Sequence, residues 1–247
     1  MVDGEATHRG IDYGEALMDF GRWDVERVKL CFDVTDANFD ALFGEDPAEV
    51  LARCVRLRAA LAGATRLEYR SDAGSALALG CDPARWRIHS GLEPDDYMLP
   101  SGEMECLPTA ADGELVVDGW LIGTIPFGVK YGRIRAGQLT LILANGLIAG
   151  VGGDHPVLRR DVEDTLAALP GLRHVVELGI GQSHGVARAA AASAVGGVWH
   201  ERHFGLHLGL GSALVETPGE PKKSHHHLDL ILASGHLTAN GRPVLSW

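Results

Sequence analysis

In SHHHLDLIL, residues 224–232, His227 and Asp229 stand two apart in a run where Leu228, Leu230 and Leu232 alternate with other side chains. Such alternation reads as a half-buried strand, on which residues two apart project from one face. An imidazole and a carboxylate placed this way form a bidentate clamp for a divalent cation. Histidine runs also occur in purification tags, but a tag sits at a terminus and no linker flanks these three.

Three further segments carry metal-capable side chains in or beside short β-runs, most of them next to glycines. They are LPSGEMECLP with Glu103 and Glu105, VVELGIG with Glu177, and GLHLGLG with His207. Glu177 is flanked by Val175, Val176, Leu178 and Ile180, and His207 by Leu206, Leu208 and Leu210. A lone carboxylate in such surroundings is costly to desolvate unless it is paired or metal-bound. For any one residue taken singly, a core hydrogen bond or a solvent-facing strand position is the competing reading. Recurrence in four segments points instead to convergence on one centre. The set Glu103, Glu177, His207, His227 and Asp229 suits Zn²⁺, Co²⁺ or Mn²⁺, and five ligands exceed one closed four-coordinate site. The expectation is one ion with a nearby base, or two ions ~3.5–4 Å apart that activate water.

Other chemistries are poorly supported. GIGQSHG has GxGxxxG spacing and is neither a dinucleotide fingerprint nor a phosphate loop. No GxSxG elbow occurs, and WHERH (199–203) has the wrong spacing for an HExxH helix. Cys106 reads as a small core residue.

The elements that must position these residues are short and mixed. EDPAEVLARCVRLRAALAGA predicts a helix with Asp46 as N-cap and Pro47 at its first position. Its apolar face is expected to carry Leu51, Cys54, Val55 and Leu61, widened by Leu57. Strands are expected over 25–35, 64–71 and 75–80, in WRIHSG, and through the glycine-rich middle, with hairpin turns at Asn145-Gly146 and Asn240-Gly241. Helices are expected over 157–169 and in HGVARAAAASAVGG. Without a strict βαβ rhythm, the fold class is α+β, a mixed, largely antiparallel sheet flanked by helices. Residues 1–70 form an N-terminal α/β segment and 71–247 the domain that holds the site, the two making one compact unit.

Composition narrows the partners. The formal net charge is −11 with 22 Lys and Arg, and no basic stripe marks a nucleic-acid face. No apolar run approaches ~18 residues, so no membrane span is expected. The four cysteines form no CxxC pair, which fits a reducing, cytoplasmic setting.

Taken in order, five motifs resemble the aminopeptidase T family of metallo-aminopeptidases. LPSGEMECLP resembles its PxGEV…P signature, HVVELGIG its ELGIG segment, ERHFGLHLGLGSA its EKxxGTxHxALG segment and SHHHLDLIL its HxDxM segment; GHLTANGRPVLSW is similar to its closing hairpin. The resemblance covers roughly residues 99–247, the catalytic part only, in a truncated relative. It implies that Glu103, Glu177, His207, His227 and Asp229 ligate a metal pair. The metal-activated water would cleave an N-terminal peptide or amide bond of a small peptide, with Glu103 or Glu177 taking its proton. It also implies a homodimer. Where the family has a tyrosine near the metals, this chain has Leu214. Relatives of the same fold include mononuclear iron ring-cleaving dioxygenases, for which His207, His227 and Asp229 would supply two histidines and a carboxylate. A relative that binds a peptide or small ligand without turning it over is a third reading.

Overall fold

A computed structural model describes residues 30–31, 34–92, 98–212 and 224–247 of the chain. After β1 (Leu30–Cys31) come α1 (Phe39–Phe43) and α2 (Pro47–Ala60), then β2 (Arg66–Arg70), β3 (Ala76–Gly80), β4 (Arg87–His89), β5 (Met98–Leu99) and β6 (Glu103–Cys106). The middle contains β7 (Ala110–Val116), β8 (Gly119–Gly123), α3 (Phe127–Tyr131), β9 (Thr140–Ala144), β10 (Leu147–Gly152) and α4 (Pro156–Ala168). The last third runs β11 (Val175–Gly181), α5 (His184–Ala192), β12 (Gly205–Gly211), β13 (His227–Leu232), β14 (His236–Ala239) and β15 (Arg242–Ser246).

These strands make two large antiparallel sheets where one was expected. Seven strands follow the order β10-β9-β7-β3-β2-β14-β15, and six follow β4-β6-β11-β12-β13-β8. The α+β class with largely antiparallel pairing is what the sequence predicted; β1 and β5 form a separate parallel pair. Since β2 lies between β3 and β14, the larger sheet crosses the expected junction at residue 70. Of the strand expected over 25–35, β1 is described and Val34 and Thr35 lie outside any strand; residues 25–29 and 32–33 are outside the described residues.

Local chemistry explains several boundaries. Asp46 accepts the Ala48 amide at 2.9 Å and Pro47 opens α2, as a capping carboxylate ahead of proline should. The buried face of α2 is Val50, Cys54, Leu57 and Leu61, whereas Val55 is 42% exposed. The expected stripe was therefore rotated: spacing of four, three and four residues from Val50 follows the 3.6-residue turn better than one begun at Leu51. Asn145-Gly146 and Asn240-Gly241 take positive φ at both positions (53° and 74°, 50° and 76°), the conformation of type I′ hairpins, which asparagine and glycine tolerate.

The main core lies between the sheets. Leu67, Leu79, Leu115 and Leu141 of the larger sheet meet Leu178, Ile180, Leu206, Leu208 and Leu230 of the smaller, with α4 adding Leu158, Val162 and Leu166. On the opposite face of the six-stranded sheet a smaller cluster joins Trp120, Ile122 and Ile231 to Leu42, Val186, Ala189 and Trp199. That second face also bears the polar residues singled out above.

Candidate metal centre

Four adjacent strands, β6, β11, β12 and β13, present the five predicted residues from one face. Alternation alone accounts for this: Leu178 and Ile180 point into the main core, so Glu177 and Gly179 point away, and likewise His207 and Gly209 against Leu206, Leu208 and Leu210. Register does the rest. Glu177 pairs with Gly209, Gly179 with His207 and with Glu105, and Gly209 with Asp229. Each bulky polar side chain thus faces a glycine across the ladder.

Those glycines are required by space. A Cβ on Gly179 would sit 2.1 Å from His207 Nε2 and 2.8 Å from Glu103 Oε1. One on Gly209 would lie 2.7 Å from Glu177 Cβ, 2.8 Å from His227 Cε1 and 3.1 Å from Asp229 Oδ1. The LGIG and LGLG motifs therefore hollow out the sheet face beneath the cluster.

The donor atoms form two groups that share Glu177. In one, Glu103, Glu177 and His207 offer atoms all within 4.8 Å of one another; in the other, Glu177, His227 and Asp229 do. His207 Nε2 lies 3.1 Å from Glu177 Oε1 and 2.7 Å from Glu103 Oε1. His227 Nε2 lies 3.7 Å from Glu177 Oε2 and 2.8 Å from Asp229 Oδ1. The two oxygens of Glu177 thus face different histidines. His207, His227 and Asp229, the expected facial triad, are not among the groups that converge within that distance in the described residues. Four of the five side chains are at most 5% exposed, and His227 at 16% is the most accessible of the set.

The electrostatics suit a cation. Glu103 Oε1 has no partner in hydrogen-bond geometry among the described residues, despite its closeness to His207. Burial disfavours charge on His207, yet Glu103 and Glu177 outweigh it and raise the imidazole well above its usual range. At His227, burial is overcome by Asp229 and Glu177, with the same result. Burial, reinforced by Glu105, pushes Glu177 up to about 7. On Glu103, burial is outweighed by Arg202 and His207, which bring the carboxyl down to about 2. Nitrogen and carboxylate oxygen donors converging in a buried pocket that demands positive charge fit a divalent metal ion.

Sequence reasoning missed Arg202 and Glu201. Both lie in a 3₁₀ turn, Val198–Arg202, whose Trp199, His200, Glu201 and Arg202 are buried. Arg202 Nη1 is 2.5 Å from Glu103 Oε2, and the same nitrogen pairs with Glu201. Burial holds Glu201 well above the usual carboxylate range in spite of that neighbour. WHERH lacks the spacing of a helical metal motif; its four consecutive residues of mixed polarity just ahead of a buried strand are the signal the sequence offers. Gly181 admits the turn, since a Cβ there would lie 1.8 Å from the His203 carbonyl oxygen. Glu105, the second metal-capable glutamate of LPSGEMECLP, pairs with His89 Nε2 at 3.0 Å. Cys106 is buried on the core face, where burial pushes its thiol up. Leu214 lies outside the described residues.

No protein-family model matches this chain, and no curated protein matches it. Among solved structures, the fold resembles 2,5-dihydroxypyridine dioxygenase from Pseudomonas putida KT2440, with a TM-score of 0.58 and 23% sequence identity. The likeness covers 81% of this chain, which spans 61% of that one. At this identity it establishes a shared fold. It also overturns the aminopeptidase T resemblance, and with it the hydrolase, peptidase and metalloprotease expectation. The motifs behind that expectation are glycine-spaced strands and asparagine-glycine hairpins, which sheet geometry demands whatever the reaction. Among the described residues no helix is long and apolar enough to cross a membrane.

Proposed function

We propose that this chain is a non-haem iron-dependent dioxygenase that opens a dihydroxylated aromatic ring. The observation that carries this is the buried histidine–carboxylate cluster, set in a fold like that of 2,5-dihydroxypyridine dioxygenase. Glu177, His227 and Asp229 would hold the ion, with His207 on the other oxygen of Glu177 as the second imidazole of the cluster. Bound ferrous iron would supply the one-electron chemistry through which dioxygen reacts with an aromatic ring.

The chain's own residues do the rest. His227 Nδ1 lies 2.5 Å from the Ser212 carbonyl oxygen; donating its proton there leaves Nε2 free to ligate, the usual outer-shell arrangement of a metal-bound histidine. Burial of the other four side chains keeps water from the inner side of the cluster. The partly exposed His227 edge is the side from which a small planar substrate would approach. Arg202 holds one oxygen of Glu103 and so fixes which oxygen faces His207.

The test is to strip the protein with chelator, reload it with iron(II) under anaerobic conditions, and measure oxygen uptake with 2,5-dihydroxypyridine and related dihydroxylated rings. Ring loss with one oxygen molecule consumed per substrate is the expected result, and Asp229→Asn should abolish it. Iron-loaded protein that consumes no oxygen with any such ring would remove the reading, leaving a relative that binds a small ligand without turning it over.

A further inference from the structure

The two donor groups that share Glu177 are not equivalent. Both combine one histidine with two carboxylates, yet among the described residues a fixed cation stands on only one of them. Arg202, 4% exposed, has its Nη1 at 2.5 Å from Glu103 Oε2 and pairs also with Glu201. Its backbone is pinned as well: the Ser183 amide donates to the Arg202 carbonyl at 3.1 Å, and Gly181 lets the turn press onto β11. The guanidinium is therefore held against Glu103 by the fold and not by the salt bridge alone.

The two histidines differ in the same sense. His227 is oriented for ligation by the Ser212 carbonyl at 2.5 Å. His207 Nδ1 has no hydrogen-bond partner among the described residues. Metal-bound histidines nearly always anchor the second ring nitrogen, so the outer-shell support is built for the Glu177–His227–Asp229 group.

From this asymmetry we propose that Arg202 sets the metal count. Its buried guanidinium supplies the positive charge of the Glu103–Glu177–His207 half, and the chain holds one ion, in the Glu177–His227–Asp229 half. A second dication beside a guanidinium that shares its carboxylate would be opposed by direct repulsion in a poorly screened interior. This rests on the cluster being a metal centre, as in the proposed function, but not on the reaction.

The experiment counts ions on the full chain, stripped with chelator and then dialysed against excess manganese(II) or, separately, zinc(II). One ion per chain is expected for the wild type and for Arg202→Lys, which keeps the charge. The double variant Arg202→Gln with Glu201→Gln removes the cation without leaving its second carboxylate buried and unpaired, and it should take two. Should that variant fail to fold, single variants decide: Glu103→Gln should keep one ion and Asp229→Asn should keep none. Two ions on the wild type, none at saturating metal, a folded double variant still at one, or loss of the ion in Glu103→Gln but not Asp229→Asn would each overturn the proposal. One ion under the control of Arg202, with no oxygen uptake on any ring, would remove the dioxygenase reading and leave this one standing.

Discussion

The two faces of the six-stranded sheet are made by the same four strands and obey opposite rules. One face packs Leu178, Ile180, Leu206, Leu208, Leu210, Leu228 and Leu230 against the larger sheet, and its side chains fill space continuously. The other carries Glu103, Glu177, His207, His227 and Asp229, and on β11 and β12 the neighbours on that face are glycines that leave space open. A protein interior tolerates ionisable groups at this density only where they neutralise one another or hold an ion. The apolar face is packed along its whole length, whereas the other face packs only around Trp120, Ile122 and Ile231 and leaves the glycine-hollowed part to the polar cluster. A period of two thus lets one segment serve as core and as chemistry.

If the two faces are separable in this way, substitutions should affect different measurements. The largest effect is expected from Leu208→Ala on the packed face. It removes a fully buried side chain and should cost about 2–5 kcal/mol of stability, read by denaturant unfolding, while metal content per folded molecule stays unchanged. Loss of metal binding in that variant would show that the faces are not independent. Gly209→Ala on the other face comes next. Its methyl would press on Glu177, His227 and Asp229, a misfit of about 1–3 kcal/mol, and bound metal should fall far more than stability does.

The comparison is sharpened by pH, because the packed face does not titrate and the polar one does. In chelator-treated protein His207 and His227 have folded values above the ordinary 6.5. Their contribution to stability is therefore fully present below 6.5 and lost as pH rises through the raised values. Glu177, raised from 4.5 to about 7, acts in the same direction, contributing below 4.5 and losing that contribution as pH climbs through about 7. Glu103, lowered to about 2, contributes above 4.5 and loses its share only as pH falls towards 2. Thermal unfolding of metal-free protein should thus show stability declining from pH 4.5 through neutrality, and metal uptake should release protons. A rise over that interval would refute the charge arrangement. The smallest effect is expected from Gly146→Ala, in the hairpin turn between β9 and β10. Its Cβ would meet nothing within 4 Å, but φ is +74°, and the cost of about 1 kcal/mol should leave bound metal untouched.

How much of this was legible beforehand follows from the range of the forces involved. The site strands were visible because alternation is local: each leucine of LHLGL and HLDLIL states which face is buried. The hairpin turns and the Asp46-Pro47 helix start were visible for the same reason, since a few adjacent residues decide them. The convergence of Glu103, Glu177, His207, His227 and Asp229 was legible only as an expectation, drawn from the cost of burying each alone. Their residue types thus determined that this face must find partners or a cation. The pairing of strands separated by up to about a hundred residues decided which partners: Glu177 between both histidines, and His227 with Asp229 and away from His207. Arg202 was hidden because nothing local marks an arginine for burial; only the close approach permitted by Gly181 and the carboxylate of Glu103 settle it there. The division into two sheets was likewise invisible, because strand order is set by long-range packing that no run of neighbours records. The sequence by itself determined the period, the turns and the donor inventory; tertiary structure decided who meets whom, because charge pairing and close packing act between residues that the chain keeps far apart.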